Sequence, residues 1–200
     1  MTDEPETRST RDRILEAARD AFLRSGYHGT SMRTLAQACG LSVAGIYAHF
    51  ENKEQILETL LADNPFRTLI EQVAALWNPD RPDESLRRIS HLIVSRLDEH
   101  VAFYRLVFLD VMEFGGRHIR DVAAGNFQRI GVSLVPRLRE AIEQGKIRDV
   151  PPLLILRAFL GLFISYVVTD RLIFSGLFPF SEEETVDALI DIFLHGVVPR

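Results

Sequence analysis

The stretch Thr30–Lys53, TSMRTLAQACGLSVAGIYAHFENK, reads as two short helices joined by a tight turn. Thr30 or Ser31 can cap the first helix by accepting a backbone N–H bond, and Met32, Leu35 and Ala36 recur at the spacing of one buried face. Gly40 can take the left-handed conformation that closes a helix, and Ser42 can cap a second helix reaching about Phe50. In that second helix Ile46 and Phe50 sit four residues apart and turn inward, leaving Val43, Ala44, Gly45, Tyr47, Ala48 and His49 around the rest of the circumference. Small side chains on an outward face allow close approach to another surface. In a DNA major groove about 12 Å wide, Val43 and Ala44 could touch thymine methyls while Tyr47 and His49 reach phosphates.

Two flanking helices complete a three-helix helix-turn-helix unit. Ser9 with Asp12 has capping-box spacing, and Ile14, Leu15, Ala18, Ala21 and Phe22 form one apolar stripe that stops at Gly26. Asn52 with Gln55 predicts a further helix carrying Ile56, Leu57, Leu60 and Leu61. Lys53 lies in its first turn, where free N–H groups and a cation suit a phosphate.

The order GYHGTSMRTLAQACGLSVAGIYAHFENKEQIL resembles the N-terminal signature of the TetR/AcrR family of one-component transcriptional regulators. The matching residues are a Gly-Tyr, the Thr-Ser cap, Leu-Ala, Gly-Leu-Ser, Ile-Tyr-x-His-Phe and Asn-Lys-Glu. The resemblance implies that Arg33 reaches a base or phosphate, that Val43, Ala44 and Gly45 face bases, and that Tyr47, His49 and Lys53 hold the backbone. With Thr30, Ser31 and Ser42 at the caps, these are the candidate DNA contacts. Relatives often carry Lys, Gln or Pro at the position of Val43 and Thr or Ser at that of Gly45. That departure moves the expected hydrogen-bond readout toward Arg33.

The 200 residues allow one domain or two small ones, and 46% hydrophobic with 26% charged residues is an ordinary globular balance. A formal charge of −5 excludes a chain basic throughout. Positive charge is instead gathered in one segment: Arg8 to Lys53 holds seven Lys or Arg against four Asp or Glu, and Ile56 onward holds sixteen against twenty. Asp3, Glu4 and Glu6 partly offset it. Cys39 stands alone, so no intrachain disulfide can form. It reads as a small buried residue, with a thiol sensor as the alternative. The charged start without an apolar signal predicts a cytoplasmic protein. Leu153 to Val168 approaches a membrane span but falls short of about 20 residues and contains Arg157, so a buried interface helix with no membrane is expected.

The spacing predicts an all-α chain: a helix-turn-helix DNA-binding domain over 1–53 and a helical ligand-binding and dimerisation domain over 54–200. Asn64-Pro65 predicts a kink in a linking helix that resumes through Trp77. Leu86, Ile89, Ile93 and Leu97 mark the next helix. Val101 to Val111, apolar on most sides, predicts an enclosed helix ending at Gly115-Gly116. Ile119 to Ala141 continues the helical period, with a kink at Pro136. Pro151-Pro152 opens a helix through about Leu172, and Ser181 with Glu184 caps a last one through His195. The apolar residues Val186, Leu189, Ile190, Phe193 and Val197 exceed what one small core can cover, which predicts a homodimer through residues 151–197. The resemblance implies a four-helix interface there.

Of thirteen Phe, only Phe22 and Phe50 precede residue 60. A pocket for a small apolar or aromatic effector is expected from Trp77, Phe103, Tyr104, Phe108, Met112, Phe127 and Phe163, with His91, His118 and Asn126 as polar contacts. The histidines show no metal-ligand spacing, and Ser90-His91 with Asp110 lacks any elbow or oxyanion turn, so no metal, cofactor or catalytic residue is expected. The reading is a ligand-responsive regulator, more a repressor than an activator, on a palindromic operator. The alternatives are an all-α enzyme and a protein-interaction module that keeps the helix-turn-helix without DNA function.

Overall fold

The computed structural model describes residues 9–174 and 177–197, the side chains of Arg171, Leu172, Gly196 and Val197 excepted. Arg8, Asp3, Glu4, Glu6 and the Val197 side chain therefore lie outside the described residues. Among the described residues there are eleven α-helices and no strand. They are α1 Thr10–Ser25, α2 Met32–Cys39, α3 Val43–Tyr47, α4 Lys53–Ala62, α5 Phe66–Leu76, α6 Pro82–Glu99, α7 Val101–Phe114, α8 Ile119–Ser133, α9 Val135–Glu143, α10 Pro152–Val167 and α11 Glu182–Val197.

The chain forms two compact units, one of residues 1–64 with 102–123, the other of residues 65–101 with 124–200. The first break falls at Asn64-Pro65 rather than after Lys53, because α4 belongs to the first core: Ile56, Leu57 and Leu61 are buried. Proline lacks the N–H needed to continue a helix, and Asp63 has already left helical geometry at ψ 67°. The expected kink is thus a full interruption between α4 and α5.

In the first unit α1, which buries Ile14, Ala18, Ala21 and Phe22, packs on α2 and α4; α2, which buries Leu35, Ala36 and Cys39, packs in turn on α3, where Ile46 is buried, and Phe50 just beyond is buried too. Each of the four starts is capped as its sequence predicts. Ser9 accepts from Asp12 N at 3.1 Å, Ser31 from Thr34 N at 3.0 Å, Ser42 from Gly45 N at 3.0 Å and Asn52 from Gln55 N at 2.8 Å. Gly40, at φ 65° and ψ 34°, ends α2 in the left-handed region, and the Leu41 N–H returns to Ala36 O at 2.9 Å. The regular part of α3 stops at Tyr47, yet the Phe50 N–H still reaches Ile46 O at 3.0 Å. The last turn continues, which keeps Phe50 four residues from Ile46 and inside.

In the second unit α6 buries Leu86, Ile89, Ile93 and Leu97 and packs on α5, α10 and α11. Leu134 separates α8 from α9, with Pro136 in the first turn of α9, where its missing N–H costs nothing. On α10 Ile155, Phe159, Phe163 and Val167 form one buried stripe, and Phe159 stacks edge-on against Phe193 of α11 at 5.1 Å. A π-helical turn, Val168–Ile173, prolongs α10. Residues 152–170 are therefore long and apolar enough, at mean hydropathy 1.9, to cross a membrane by length and composition alone, which corrects the expectation that this segment is too short. Only 22% of that window is buried, by the stripe that packs inward, and the rest of its apolar surface is not covered by the described residues.

Candidate nucleic-acid interface and effector site

The outward face of the two short helices has the composition expected of it. Arg33, Ser42, Val43, Ala44, Tyr47, Ala48 and His49 are all exposed, Val43 by 39% and Tyr47 by 53%, while Ile46 and Phe50 are buried. Among the described residues Arg33 has no hydrogen-bond or ion-pair partner, so its five donors are available. Ser31 and Ser42 are exposed but already accept the cap bonds. Gly45 is partly buried, and a Cβ there would meet Ser42 Oγ at 3.3 Å and Leu41 Cβ at 3.6 Å. The glycine therefore serves the tight turn as well as any partner's approach.

Two expected contacts need correction. Thr30 is only 2% exposed, and its hydroxyl donates to Gly26 O at 2.9 Å. The neighbouring Ser31 is the cap, and Thr30 locks the turn after α1. The Lys53 ammonium is turned inward, donating to Tyr27 O at 2.5 Å and Thr30 O at 2.7 Å beneath the Tyr27 ring at 4.0 Å. Burial pushes its pKa down. It braces the α1–α2 loop against the start of α4, leaving the exposed Tyr47 and His49 as the groups able to meet a phosphate backbone.

The first unit also contains a polar cluster that no local spacing announces. Asp110 of α7 is fully buried and accepts from Ile119 N at 3.0 Å and from His118 Nδ1 at 2.5 Å. His118 Nε2 meets Glu54 Oε1 of α4 at 2.9 Å, with Glu58 at 3.9 Å and Arg117 Nη2 at 3.3 Å; Arg117 also pairs with Glu54. Gly115 and Gly116, at φ 63° and 74°, supply the left-handed turn that brings His118 back onto Asp110. Burial opposes charging the His118 ring, but its hydrogen bonds to Glu54 and Asp110 and the charge of Asp110 outweigh that and raise its pKa. The bond from His118, helped by the charges of Arg117 and His118, holds the Glu54 carboxyl below its usual range against the opposing effect of desolvation. Glu54, Glu58 and His118 present ligand atoms within 4.8 Å of one another, a spacing that could hold a metal ion. With Arg117 on Glu54, the arrangement is that of an ion-pair network. The residues lie up to 64 positions apart, so sequence periodicity carried no signal of it.

Cys39 is buried, its thiol near Arg13 O at 3.8 Å. Desolvation raises its pKa against the weaker opposite pull of Arg13, which argues for the structural role over the sensor.

The residues expected to line one pocket are divided between the two units. Phe103, Tyr104, Phe108, Met112 and His118 belong to the first unit, and Trp77, His91, Asn126, Phe127 and Phe163 to the second. Phe163 is wholly buried core, whereas Phe108, Met112 and Phe127 are 45%, 82% and 61% exposed, so α7 is not the enclosed helix expected. His118 is committed to Asp110 and Glu54. Ser90 is buried and donates to Leu86 O at 2.6 Å. A cavity of about 40 Å³ does lie within the second unit, lined by Val73, Trp77, Leu86, Ile89, Leu134, Arg137, Leu138, Ile155, Leu156 and Phe159. Trp77 alone was expected there. The others, mostly aliphatic residues of α5, α6, α9 and α10 with Phe159 and the exposed Arg137 among them, were missed because their helical spacing is that of ordinary packing positions.

Residues 14–60 match the sequence model described as bacterial regulatory proteins, tetR family. Over 146 residues, 71% of each chain, the sequence is 28% identical to the HTH-type transcriptional regulator UidR of Escherichia coli strain K12. The crystal structure of PfmR, a TetR family transcriptional regulator from Thermus thermophilus, is similar at TM-score 0.69 and 30% identity, over 92% of this chain and 98% of that one. AibR, solved in complex with isovaleryl coenzyme A and operator DNA, is similar at TM-score 0.66 and 25% identity, over 92% and 97%.

Proposed function

The chain belongs to the TetR family of bacterial transcriptional regulators, and from that premise we propose that it is a homodimeric, effector-released repressor of a palindromic operator, working in the cytoplasm. The observation that carries the reading is the exposed face of α2 and α3. Arg33, unpaired among the described residues, stands for base or phosphate recognition, Val43 and Ala44 for apolar base contacts, and Tyr47 and His49 for the phosphate backbone. Two such faces must lie about 34–36 Å apart, or a multiple of that, to enter successive major grooves on one side of DNA. An effector that favours another spacing shifts the population away from the DNA-competent state, and effector and operator then weaken each other equally.

The dimer is assigned to the exposed side of α10 and α11. Leu154, Ala158, Gly161 and Ser165 follow one another at helical spacing and are exposed, as are Ala188 and Ile192. The effector is a small, largely apolar molecule held in the second unit. AibR, a similar protein with both an acyl thioester and an operator, lends support to that pairing of ligands.

Electrophoretic shift with the DNA flanking the chain's own gene tests the reading. Tyr47→Ala should weaken the shift on every bound sequence, and Arg33→Ala should in addition blur base preference, each by about tenfold for one lost contact of 1–3 kcal/mol. Unchanged affinity in both variants at moderate salt would remove the assignment.

A further inference from the structure

The first turn of α1 is fastened to the helix-turn-helix at the C-terminal end of each short helix. Arg13 donates from Nη2 to the carbonyl of Cys39, the last residue of α2, at 2.6 Å. Two residues earlier, the Arg11 guanidinium lies over the ring of Phe50, 4.9 Å from its centroid, just beyond the end of α3. Phe50 is 2% exposed, whereas Arg11 and His49 are both at the surface. Arg11 thus touches the residue next to one of the groups assigned to the phosphate backbone. A planar guanidinium stacked on a ring is restrained in position while its N–H edge stays free to donate.

That edge has no partner in the chain. Among the described residues Arg11 makes no hydrogen bond and no ion pair. Its acidic neighbour Asp12 is engaged by the helix cap, where Ser9 Oγ donates to Asp12 Oδ2 at 2.7 Å. The face of the two short helices is itself poor in cations: Arg33 is the sole Lys or Arg from Ser31 to Glu51, and the Lys53 ammonium is turned inward onto the Tyr27 and Thr30 carbonyls. Duplex DNA carries one negative charge per about 1.7 Å of its axis, and neutralising those charges supplies most of the sequence-independent affinity. We propose that Arg11 is a further DNA contact, donating to a backbone phosphate beside the end of α3. Such a contact fixes the register of α3 on the duplex and reads no base. The inference rests on the DNA-binding reading and extends the reader from α2 and α3 to the start of α1.

The probe is a duplex selected by the full-length wild-type protein from a random-sequence pool, with a scrambled duplex of the same length beside it. Affinity for both is followed by fluorescence anisotropy over a series of salt concentrations. Arg11→Gln should lower the slope of log affinity against log salt by about 1 per protomer and weaken both duplexes by a similar factor. Arg11→Met, which keeps an apolar stem on Phe50, should do the same, and Arg11→Lys, which keeps the charge, should hold the wild-type slope. Arg24→Gln removes an exposed charge from the last turn of α1, about 20 Å along the helix, and should leave the slope unchanged. A role in packing alone would lower the thermal midpoint of Arg11→Gln and Arg11→Met without moving their slopes. The proposal is overturned if both variants keep the wild-type slope, if Arg11→Lys loses as much slope as they do, or if Arg24→Gln matches them. Selection of a duplex by wild type with unchanged slopes in the Arg11 variants rejects this contact alone, whereas failure of wild type to select any duplex rejects the regulator reading and the contact with it.

Discussion

His118, with 3% of its side chain exposed, is held between Asp110 and Glu54 with Glu58 and Arg117 nearby, and its pKa is raised in the fold. A raised folded pKa gives stability that is fully present below the unfolded value near 6.5 and is lost as pH climbs through the folded value. His118→Gln should therefore cost more at pH 6 than at pH 9, read as the gap in thermal midpoint between variant and wild type. An equal gap at both would mean that the ring acts through packing alone. Legibility at this scale divides by sequence distance. Ser9, Ser31, Ser42 and Asn52 act three residues away, so each cap is visible in the chain. The inward turn of Lys53 toward Tyr27, or the meeting of His118 with Glu54, depends on packing between helices that no local period encodes. Choosing between Thr30 and Ser31 likewise needed the fold, because both can cap and only one is left at the surface.

At the scale of the helix, periodicity located nearly every element but could not tell a face buried within the chain from one awaiting a partner. Phe193 illustrates the limit. It belongs to the apolar side of α11, yet it packs on Phe159 in the same chain and is only 7% exposed. A charge at Phe193 would unfold the second unit rather than split a dimer. The better probe is Gly161, in mid-helix on the exposed stripe of α10, where glycine costs about 1 kcal/mol relative to alanine. Among the described residues nothing within 4 Å would meet a Cβ there, so the chain by itself has no use for the missing side chain. Gly161→Leu should keep or raise the thermal stability of the single chain while sedimentation shows monomers. A dimer as tight as wild type would place the interface elsewhere. For α7, an almost uniformly apolar sequence suggested enclosure, but Val111 and Met112 remain exposed. Hydrophobicity without a polar side gives no direction to a helix.

On the scale of the whole molecule, residues 102–123 fold with residues 1–64 although thirty-seven residues of the other unit, 65–101, lie between them in the chain. The backbone passes from one unit to the other at 64/65, 101/102 and 123/124. Recombination is therefore constrained in a way that a linear map of the helix-turn-helix would hide. A chimera that grafts residues 1–64 onto a related regulator strips Tyr27 of its edge contact with Phe114 and leaves Glu54 without His118 and Arg117. Operator specificity should transplant with full stability only when the donor's 102–123 segment travels too. Thermal midpoints of the two chimeras, with and without that segment, would measure the difference, and equal values would mean that the reader head is a free cassette. If the segment is required, new specificities in this lineage must arise by changing exposed residues of α2 and α3 in place, since exchange of a contiguous N-terminal block would deliver a reader parted from the Phe114, Arg117 and His118 that Tyr27 and Glu54 rest on.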